Sequence, residues 1–456
     1  MSFHIMKLIV IGGNPAGLSA ASAVRRAHPD WDLIVYEMGE YVSYGSCGLP
    51  YYVSEVVESR DNLMTLTPAI LKEKRNIPVK LFHKVTSVDF ANKSVKVMDI
   101  TNNKEFEDKY DFLMLAVGAE SKKMEIEHPN IFSMHTIPDA DRIKSIVKEK
   151  KFSSGVLIGS GYIGLEMVEA YRELGVQNLT LIGPRLIFTS ESQDIILAEL
   201  EKHNIRVIMG QYVKSIEKID ENHIRVMLEN ESIETEFVQV SIGVIPNTHF
   251  LQGTSLKMEK GAIIVDEFMR TNIEKVFAAG DCVTSFHNIL KKNIFLPLAP
   301  AANKQGRIAG KMIATGGENV DGFPGVVGTS LWKVFDLYCG KTGITKEQGE
   351  KMGLEVATTF IKTNEVAHYY PNISGKFGEK ISVLLVYDVN SHKLLGGEIT
   401  SPSQIGAKKI DVLATALAAR MKIEDIQKLD LGYQPAFSPV WDPILVAANV
   451  ARKKLK

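Results

Sequence analysis

The sequence predicts an α/β protein organised around two parallel-strand crossovers of the nucleotide-binding type, and three observations carry that prediction. An apolar strand runs into a glycine turn and a small-residue helix within the first thirty residues. The same pattern returns about 150 residues later. In each copy a second apolar strand follows the helix, which is the order of a strand–helix–strand unit in a parallel sheet.

Composition leaves room for this architecture and excludes others. The 456 residues, at roughly 150 per domain, make about three domains. Hydrophobic residues at 45% and charged residues at 23% are those of an ordinary globular chain, not of a disordered or collagen-like one. Lys and Arg total 53 against 54 Asp and Glu, so the net charge of −1 provides no global attraction to nucleic acid or an anionic membrane. Three cysteines cannot form a disulfide framework, which points to a reducing, cytoplasmic setting. No apolar run approaches the ~18 residues of a membrane span. The apolar start, Leu8 to Ile11, runs straight into Gly12-Gly13 and reads as a strand rather than a signal peptide.

In the first unit, Lys7–Ile11 is a short apolar run suited to a strand buried on both faces. The turn Gly12-Gly13-Asn14-Pro15-Ala16-Gly17 follows, then the small-residue helix Leu18–Val24. Glycines here permit a tight turn and let N–H groups at a helix start meet a pyrophosphate. Asn14 takes the middle glycine position, where its tolerance of a left-handed backbone is expected to preserve the turn. The second strand, Leu33–Tyr36, ends in Glu37, twenty positions after Gly17, where a carboxylate can accept from a ribose 2′-hydroxyl. The second unit is complete: the strand at 155–158, then Gly159-Ser160-Gly161-Tyr162-Ile163-Gly164, a helix through Glu166, and the strand Leu179–Ile182. There Gly183 replaces the carboxylate and Arg185 follows, so a 2′-phosphate is not repelled and Arg185 can pair with it. NADPH and NADH are both open on this pattern.

Further segments resemble a known family. Thr271–Asp281, closing on Gly280-Asp281, resembles the second FAD motif of two-dinucleotide flavoprotein reductases, whose Asp contacts the ribityl chain. Leu113–Gly118 and Ser241–Asn247, with Gly243, resemble that family's crossings between its FAD and NAD domains. The segment Ser43-Tyr44-Gly45-Ser46-Cys47-Gly48-Leu49-Pro50-Tyr51 resembles the active site of the single-cysteine branch of pyridine nucleotide-disulfide oxidoreductases. Val42 stands five positions before Cys47, so no dithiol is present locally. The likeness extends along essentially the whole chain, including Ala299 with Pro300–Arg307, and Asp430–Pro443.

The resemblance implies a discontinuous FAD-binding domain over 1–118 and 245–321, an NAD(P)-binding domain over 119–244, and a C-terminal α/β dimerisation domain over 322–456. It makes a homodimer the expected assembly, with the apolar strand Ile381–Tyr387 buried against the partner. It implies hydride transfer from NAD(P)H through FAD to oxidised Cys47, with Tyr162 gating the nicotinamide pocket and Glu166 positioning the ring or ribose. Gly48 and Pro50 suit a helix start, whose dipole would lower the Cys47 pKa. Without a second cysteine, oxidised Cys47 is a mixed disulfide with a small thiol or a sulfenic acid.

Coenzyme A disulfide is favoured by Pro15, which stands where oxidases and peroxidases often carry His, and by Tyr433 with Tyr369 or Tyr370. In coenzyme A-disulfide reductases, tyrosines of these segments reach the cysteine from the other subunit and can protonate a leaving thiolate. Arg25, Arg26, Lys72, Lys74 and Arg75 are in regions the family uses for coenzyme A phosphates, although a Lys-Glu-Lys-Arg run also reads as a solvated helix face. Ser46 replaces the Asn common in those reductases. Polysulfide or persulfide is a further acceptor for the same reductase; an NADH oxidase or peroxidase using a Cys47 sulfenic acid stays open, as does a flavin-bearing, NAD(P)H-responsive binding or signalling protein. Cys282 and Cys339 read as packing. No His spacing points to a metal.

Overall fold

The computed structural model describes residues 4–455. Three five-stranded sheets dominate it. The first is entirely parallel, in the spatial order Val276–Ala278, Phe112–Leu115, Lys7–Ile11, Asp32–Tyr36, Val79–Lys80. The second repeats the plan with Ile205–Met209, Asn178–Gly183, Ser154–Ile158, Phe237–Val240 and Ile131–Ser133, again parallel. Each is accompanied by a three-stranded antiparallel meander, at residues 83–109 and 215–235. The chain therefore duplicates more than the glycine turn.

Strands of the first sheet come from both sides of the second unit. The two crossings lie side by side, Ala119–Ser121 pairing antiparallel with Val244–Pro246. Gly118 and Gly243 adopt φ of +65° and +98°, left-handed turns that a side chain would strain.

The helix Pro15–Ala27 starts on a proline at its first turn, where the missing N–H costs nothing. Its small residues bring it against the helix Ala299–Thr315 as well as onto the sheet. A Cβ on Gly306 would lie 2.2 Å from the Ala16 carbonyl oxygen, and one on Gly310 2.5 Å from that of Ala20. The two backbones touch, which is what packs the end of the Gly280-Asp281 segment beside the first glycine turn.

The third sheet is antiparallel, in the order Ser330–Val334, Leu337–Gly343, Leu394–Ser401, Lys380–Asp388, Val356–Asn364. Ile381–Tyr387 is buried by its own chain, contrary to the partner-facing expectation. Ile381, Val383, Leu385 and Tyr387 pack with Ile410, Leu413 and Ala447 of two covering helices. Leu384 and Val386, on the opposite face, pack with Ile344, Val356 and Leu395. Two covered faces produce a continuous apolar run whoever covers them. No helix of the described residues is long and apolar enough to cross a membrane.

Candidate functional site

The two glycine turns obey one steric rule. Gly12 and Gly159 have φ of +105° and +109°, and a Cβ on either would lie 2.1 or 2.2 Å from the carbonyl oxygen of Ala116 or Ser241. A Cβ on Gly17 or Gly164 would lie 2.0 or 1.9 Å from the carbonyl oxygen of Gly12 or Gly159. The middle position is different. Asn14 is extended, at φ −106°, and Gly161 likewise at −82° with nothing near its absent side chain. The left-handed tolerance expected of Asn14 is thus not called on, because the backbone there is ordinary. Its side-chain oxygen is buried without a partner, a free acceptor within the first turn.

What distinguishes the copies is an exchange of volume across the turn. In the first, Val42 takes the space Gly13 leaves, its Cγ1 2.4 Å from where a Cβ would stand, and the Glu37 carboxylate accepts from the Gly13 N–H at 2.8 Å and the Gly39 N–H at 2.8 Å. Ser43, in a left-handed conformation at φ 52°, donates its N–H to the Gly13 carbonyl and steadies the same turn. In the second, Ser160 stands where Gly13 stood. A Cβ on Gly183 would lie 2.1 Å from the Ser160 hydroxyl oxygen, which donates to the Arg185 carbonyl at 2.7 Å. Serine and glycine have traded places with glycine and glutamate. Arg185 itself is exposed.

Cys47 sits in a single 3₁₀ turn, Ser46–Gly48, that leads into the five-residue helix Leu49–Val53. The residue reaches the surface. Its thiol is nevertheless pushed up, first by the protein walls that desolvate it, then by the carboxylates of Glu166 and Asp281. This reverses the expectation of a lowered pKa. So short a helix offers one weak dipole, and two acidic groups plus desolvation outweigh it. The same effects show that Cys47, Glu166 and Asp281 lie in one neighbourhood, although the sequence separates them widely.

Glu166, half-buried on the helix Tyr162–Glu173, is pushed up to about 7 by burial and by Glu169. Asp281 is also raised by burial, with His135 close enough to oppose the shift. Tyr51, part of the cysteine segment but not singled out by the sequence, is raised by burial and by the charges of Glu166, Glu169, Tyr338 and Cys47. It completes the same group. The Tyr162 ring packs edge-on against Trp332 at 4.9 Å, and its hydroxyl bonds the Ser330 hydroxyl at 2.6 Å. Gly280 donates its N–H to Gln305, tying the Asp281 turn to the helix on which Ala299 is the first residue.

Tyr369 and Tyr433 share a hydrogen bond at 3.1 Å, while the Tyr370 side chain lies outside that pair. Both segments are exposed, together with Ile373, Phe377, Phe437, Val440 and Trp441. No hydrogen bond among the described residues joins these tyrosines to the Cys47 segment. Cys282 and Cys339 are fully buried, and burial pushes the Cys282 thiol up to about 12.

The five cations assigned to coenzyme A part company. Arg26, Lys72, Lys74 and Arg75 are exposed. Arg25 is 9% exposed, and its guanidinium donates to the carbonyls of Pro29 and Trp31 at 2.8 Å each and of His28 at 3.4 Å. It closes the helix end rather than facing a ligand. The His spacing also held more than expected: Glu199 and His203, four apart, meet Asp336 with side-chain ligand atoms within 4.8 Å. Lys202 already pairs with both carboxylates, at 3.6 and 2.6 Å, so the cluster is an ion-pair network.

Closed cradles under both turns, a carboxylate at the end of one second strand, and an unpartnered buried oxygen fit two bound dinucleotides. Residues 6–306 match the pyridine nucleotide-disulphide oxidoreductase family, and 329–443 its dimerisation domain. The chain belongs to this family. It is an oxidoreductase, and its cofactors are the family's FAD and NAD(P)H. Among relatives, a CoA-dependent NAD(P)H sulfur oxidoreductase of Pyrococcus furiosus is 38% identical over 98% of this chain and 99% of its own. An NADH oxidase of Methanocaldococcus jannaschii is 30% identical over 99% of both. The solved structure of an NAD-dependent persulfide reductase from A. fulgidus superposes with a TM-score of 0.92 at 34% identity, covering 98% of this chain and 83% of that one.

Proposed function

We propose that this family member is an NAD(P)H:coenzyme A-disulfide reductase that works through a Cys47–coenzyme A mixed disulfide and also accepts polysulfide or persulfide sulfur. The observation that carries the reading is the isolation of Cys47. It is an exposed thiol and the other two cysteines are buried elsewhere, so its oxidised form is not an intrachain disulfide but a mixed disulfide with an external thiol or, in the second reading, a sulfenic acid. The CoA-dependent sulfur oxidoreductase and persulfide reductase relatives support that choice. The working frame is an FAD domain of 1–118 with 245–321, an NAD(P) domain of 119–244 and a dimerisation domain of 322–456, in a homodimer of the reducing cytoplasm.

When bound, FAD supplies the two-electron link between NAD(P)H and the Cys47 disulfide. Gly12, Asn14, Gly17, Glu37, Ser43, Gly118, Gly280, Asp281 and Ala299 line its site in this reading. Gly159, Gly161, Gly164, Tyr162, Glu166, Arg185 and Gly243 line that of the pyridine nucleotide, with Arg185 taking the 2′-phosphate of NADPH. The Cys47 thiolate attacks one sulfur of coenzyme A disulfide, forming Cys47–S–S–CoA and expelling one coenzyme A thiolate. Two electrons and a proton then return the Cys47 thiolate and a second coenzyme A thiol. The sum is NAD(P)H, a proton and the disulfide giving NAD(P)⁺ and two thiols.

Tyr433 and its hydrogen-bonded neighbour Tyr369 supply the phenol that protonates the leaving thiolate from the partner subunit, which the exposed apolar surface around them would bind. The shared hydrogen bond favours Tyr369 over Tyr370 for this role. Glu166, with its pKa near neutrality, can hold or release a proton beside the nicotinamide. Arg26, Lys72, Lys74 and Arg75 are the cations open to coenzyme A phosphates; Arg25 is left out. The Methanocaldococcus relative favours a second reading, NADH oxidation through a Cys47 sulfenic acid.

Anaerobic NADPH or NADH oxidation with coenzyme A disulfide decides between them, run beside an aerobic assay for peroxide and water. Two coenzyme A thiols per reduced nucleotide is the expected result. Turnover with oxygen alone would overturn the proposal in favour of the second reading.

A further inference from the structure

The connection after the second crossover, residues 183–189, carries Arg185 and is held from two directions. From its own domain, the Ser160 hydroxyl binds the Arg185 carbonyl at 2.7 Å. From the C-terminal domain come three further contacts. Trp332 packs on Phe188 with ring centroids 4.6 Å apart. The Lys341 ammonium donates to the Ile187 carbonyl at 2.6 Å. Glu398 accepts from the Thr189 N–H at 3.1 Å to each oxygen and from the Thr189 hydroxyl at 2.8 Å.

Lys341 and Glu398 are directly opposite each other on neighbouring antiparallel strands and pair at 3.5 Å, with side chains only 16% and 3% exposed. A buried ion pair is a poor way to gain stability, since desolvation offsets the attraction and an apolar pair of similar size does as well. Its advantage is direction. Here the two charges fix the backbone at 187 and 189, immediately beyond Arg185. Thr189 also precedes the helix Ser190–Lys202, yet its hydroxyl caps nothing in that helix. Glu398 stands at the helix start instead, where a negative charge meets the positive dipole end. The Arg185 side chain is exposed and has no hydrogen-bond or ion-pair partner among the described residues. It lies close enough to Lys341 for their like charges to be felt.

We propose that the Lys341–Glu398 pair is a positioning device for pyridine-nucleotide discrimination: it holds the 183–189 connection from the C-terminal domain so that Arg185 is presented to the 2′-phosphate of NADPH. The inference rests on the assignment of Arg185 made above. Because the pair grips the backbone and leaves the guanidinium free, it acts through Arg185 without touching the nucleotide.

The test uses the flavin-loaded holoenzyme and two fragments, adenosine 2′,5′-bisphosphate and adenosine 5′-monophosphate, with affinities read by calorimetry. Arg185→Ala should weaken the bisphosphate at least tenfold. Glu398→Gln, Lys341→Met and the paired Lys341→Met/Glu398→Leu should weaken the bisphosphate three- to tenfold and leave the monophosphate unchanged. In turnover the effect should fall on KM for NADPH rather than on kcat. Thr189→Val removes only the hydroxyl and should shift the bisphosphate in the same direction by a smaller factor, even if the pair variants are too unstable to purify. Equal losses for both fragments, or none, in the pair and Thr189 variants would overturn the proposal while Arg185→Ala stays selective. A bisphosphate affinity insensitive to Arg185→Ala would instead sink the Arg185 assignment itself.

Discussion

The exchange between Ser160 and Gly183 sets up a stringent test of how the second nucleotide site is built. Restoring the carboxylate with Gly183→Glu alone should fail, because its Cβ would meet the Ser160 hydroxyl oxygen at 2.1 Å and the Ser160 Cβ at 2.8 Å. Overpacking of that kind costs about 1–3 kcal/mol. Ser160→Gly alone gives up the 2.7 Å bond to the Arg185 carbonyl, worth about 1 kcal/mol. The double variant recreates the Gly13–Glu37 arrangement, so its destabilisation should be smaller than the sum of the two singles by about 1–3 kcal/mol. It should also change the ligand. A carboxylate about 4 Å from a 2′-phosphate is repelled by about 4 kcal/mol at an effective dielectric of about 20. Solvent screening reduces this, but 1.4 kcal/mol is already tenfold. The ratio of kcat/KM for NADPH to that for NADH should therefore fall at least tenfold in the double variant, measured on holoenzyme beside thermal midpoints of all four proteins. A Gly183→Glu protein as stable as its parent, or a double variant with the parent's nucleotide ratio, would refute the reasoning.

Three further outcomes follow from the site. Cys47→Ser should abolish disulfide turnover by at least a thousandfold while rapid-mixing absorbance still records flavin reduction by NAD(P)H; retained coenzyme A thiol release would place the chemistry elsewhere. Glu166 has a folded-state pKa of about 7 against an ordinary value of 4.5, so the native state holds its proton longer and stability falls as pH rises from about 4.5 to about 7. Glu166→Gln should flatten that slope: relative to the parent its stability should rise by about 1–3 kcal/mol between about pH 3.5 and about pH 8, the upper end being the full shift and the lower allowing for partial exposure; identical pH profiles in denaturant titrations would contradict it. Trp441→Lys, at an exposed apolar side chain of the same C-terminal segment as Tyr433, should raise the dimer dissociation constant at least tenfold in sedimentation equilibrium, and an unchanged constant would move the interface elsewhere.

What the sequence disclosed was what sits within one turn or one strand–helix–strand unit. Gly12, Gly17, Gly159 and Gly164 were legible because their constraint is backbone against backbone, and any chain making this turn meets it. Glu37 was legible through its distance from Gly17. The reason for Gly183 was not, because its neighbour Ser160 lies across the turn, and only the fold brings that hydroxyl into the missing side chain's volume. The raised Cys47 thiol was hidden for the same reason: Glu166 and Asp281 come to it from two other parts of the chain. Ile381–Tyr387 was legible as a buried apolar strand but was expected to face the partner; an apolar run carries no information about what covers it, and its own chain does. Arg25 resembled a ligand residue by position, while its hydrogen bonds to three carbonyls depend on how the chain leaves the helix.

The duplicated crossovers separate two kinds of demand on the same motif. The first and third glycines answer to the fold, since a side chain there collides with the protein's own carbonyls whether or not a nucleotide is bound. The copies differ at the next positions: Val42 takes the space beside Gly13 and leaves Glu37 to bond the turn, whereas Ser160 takes the space beside Gly183, so a carboxylate stands at one strand end and none at the other. The C-terminal domain holds the loop that follows the second copy's second strand. Glu37 anchors itself on the Gly13 and Gly39 N–H groups, so the first site brings its own fixed charge. The second lacks that carboxylate, and in the proposed reading an arginine in the following loop takes its place. Ser330, Trp332, Lys341 and Glu398 of one sheet meet the second unit at Tyr162, Phe188, Ile187 and Thr189. If Arg185 meets the nucleotide as proposed, substitutions in the sheet of the domain matched as the dimerisation unit should register in nucleotide kinetics even where they lie far from the subunit interface.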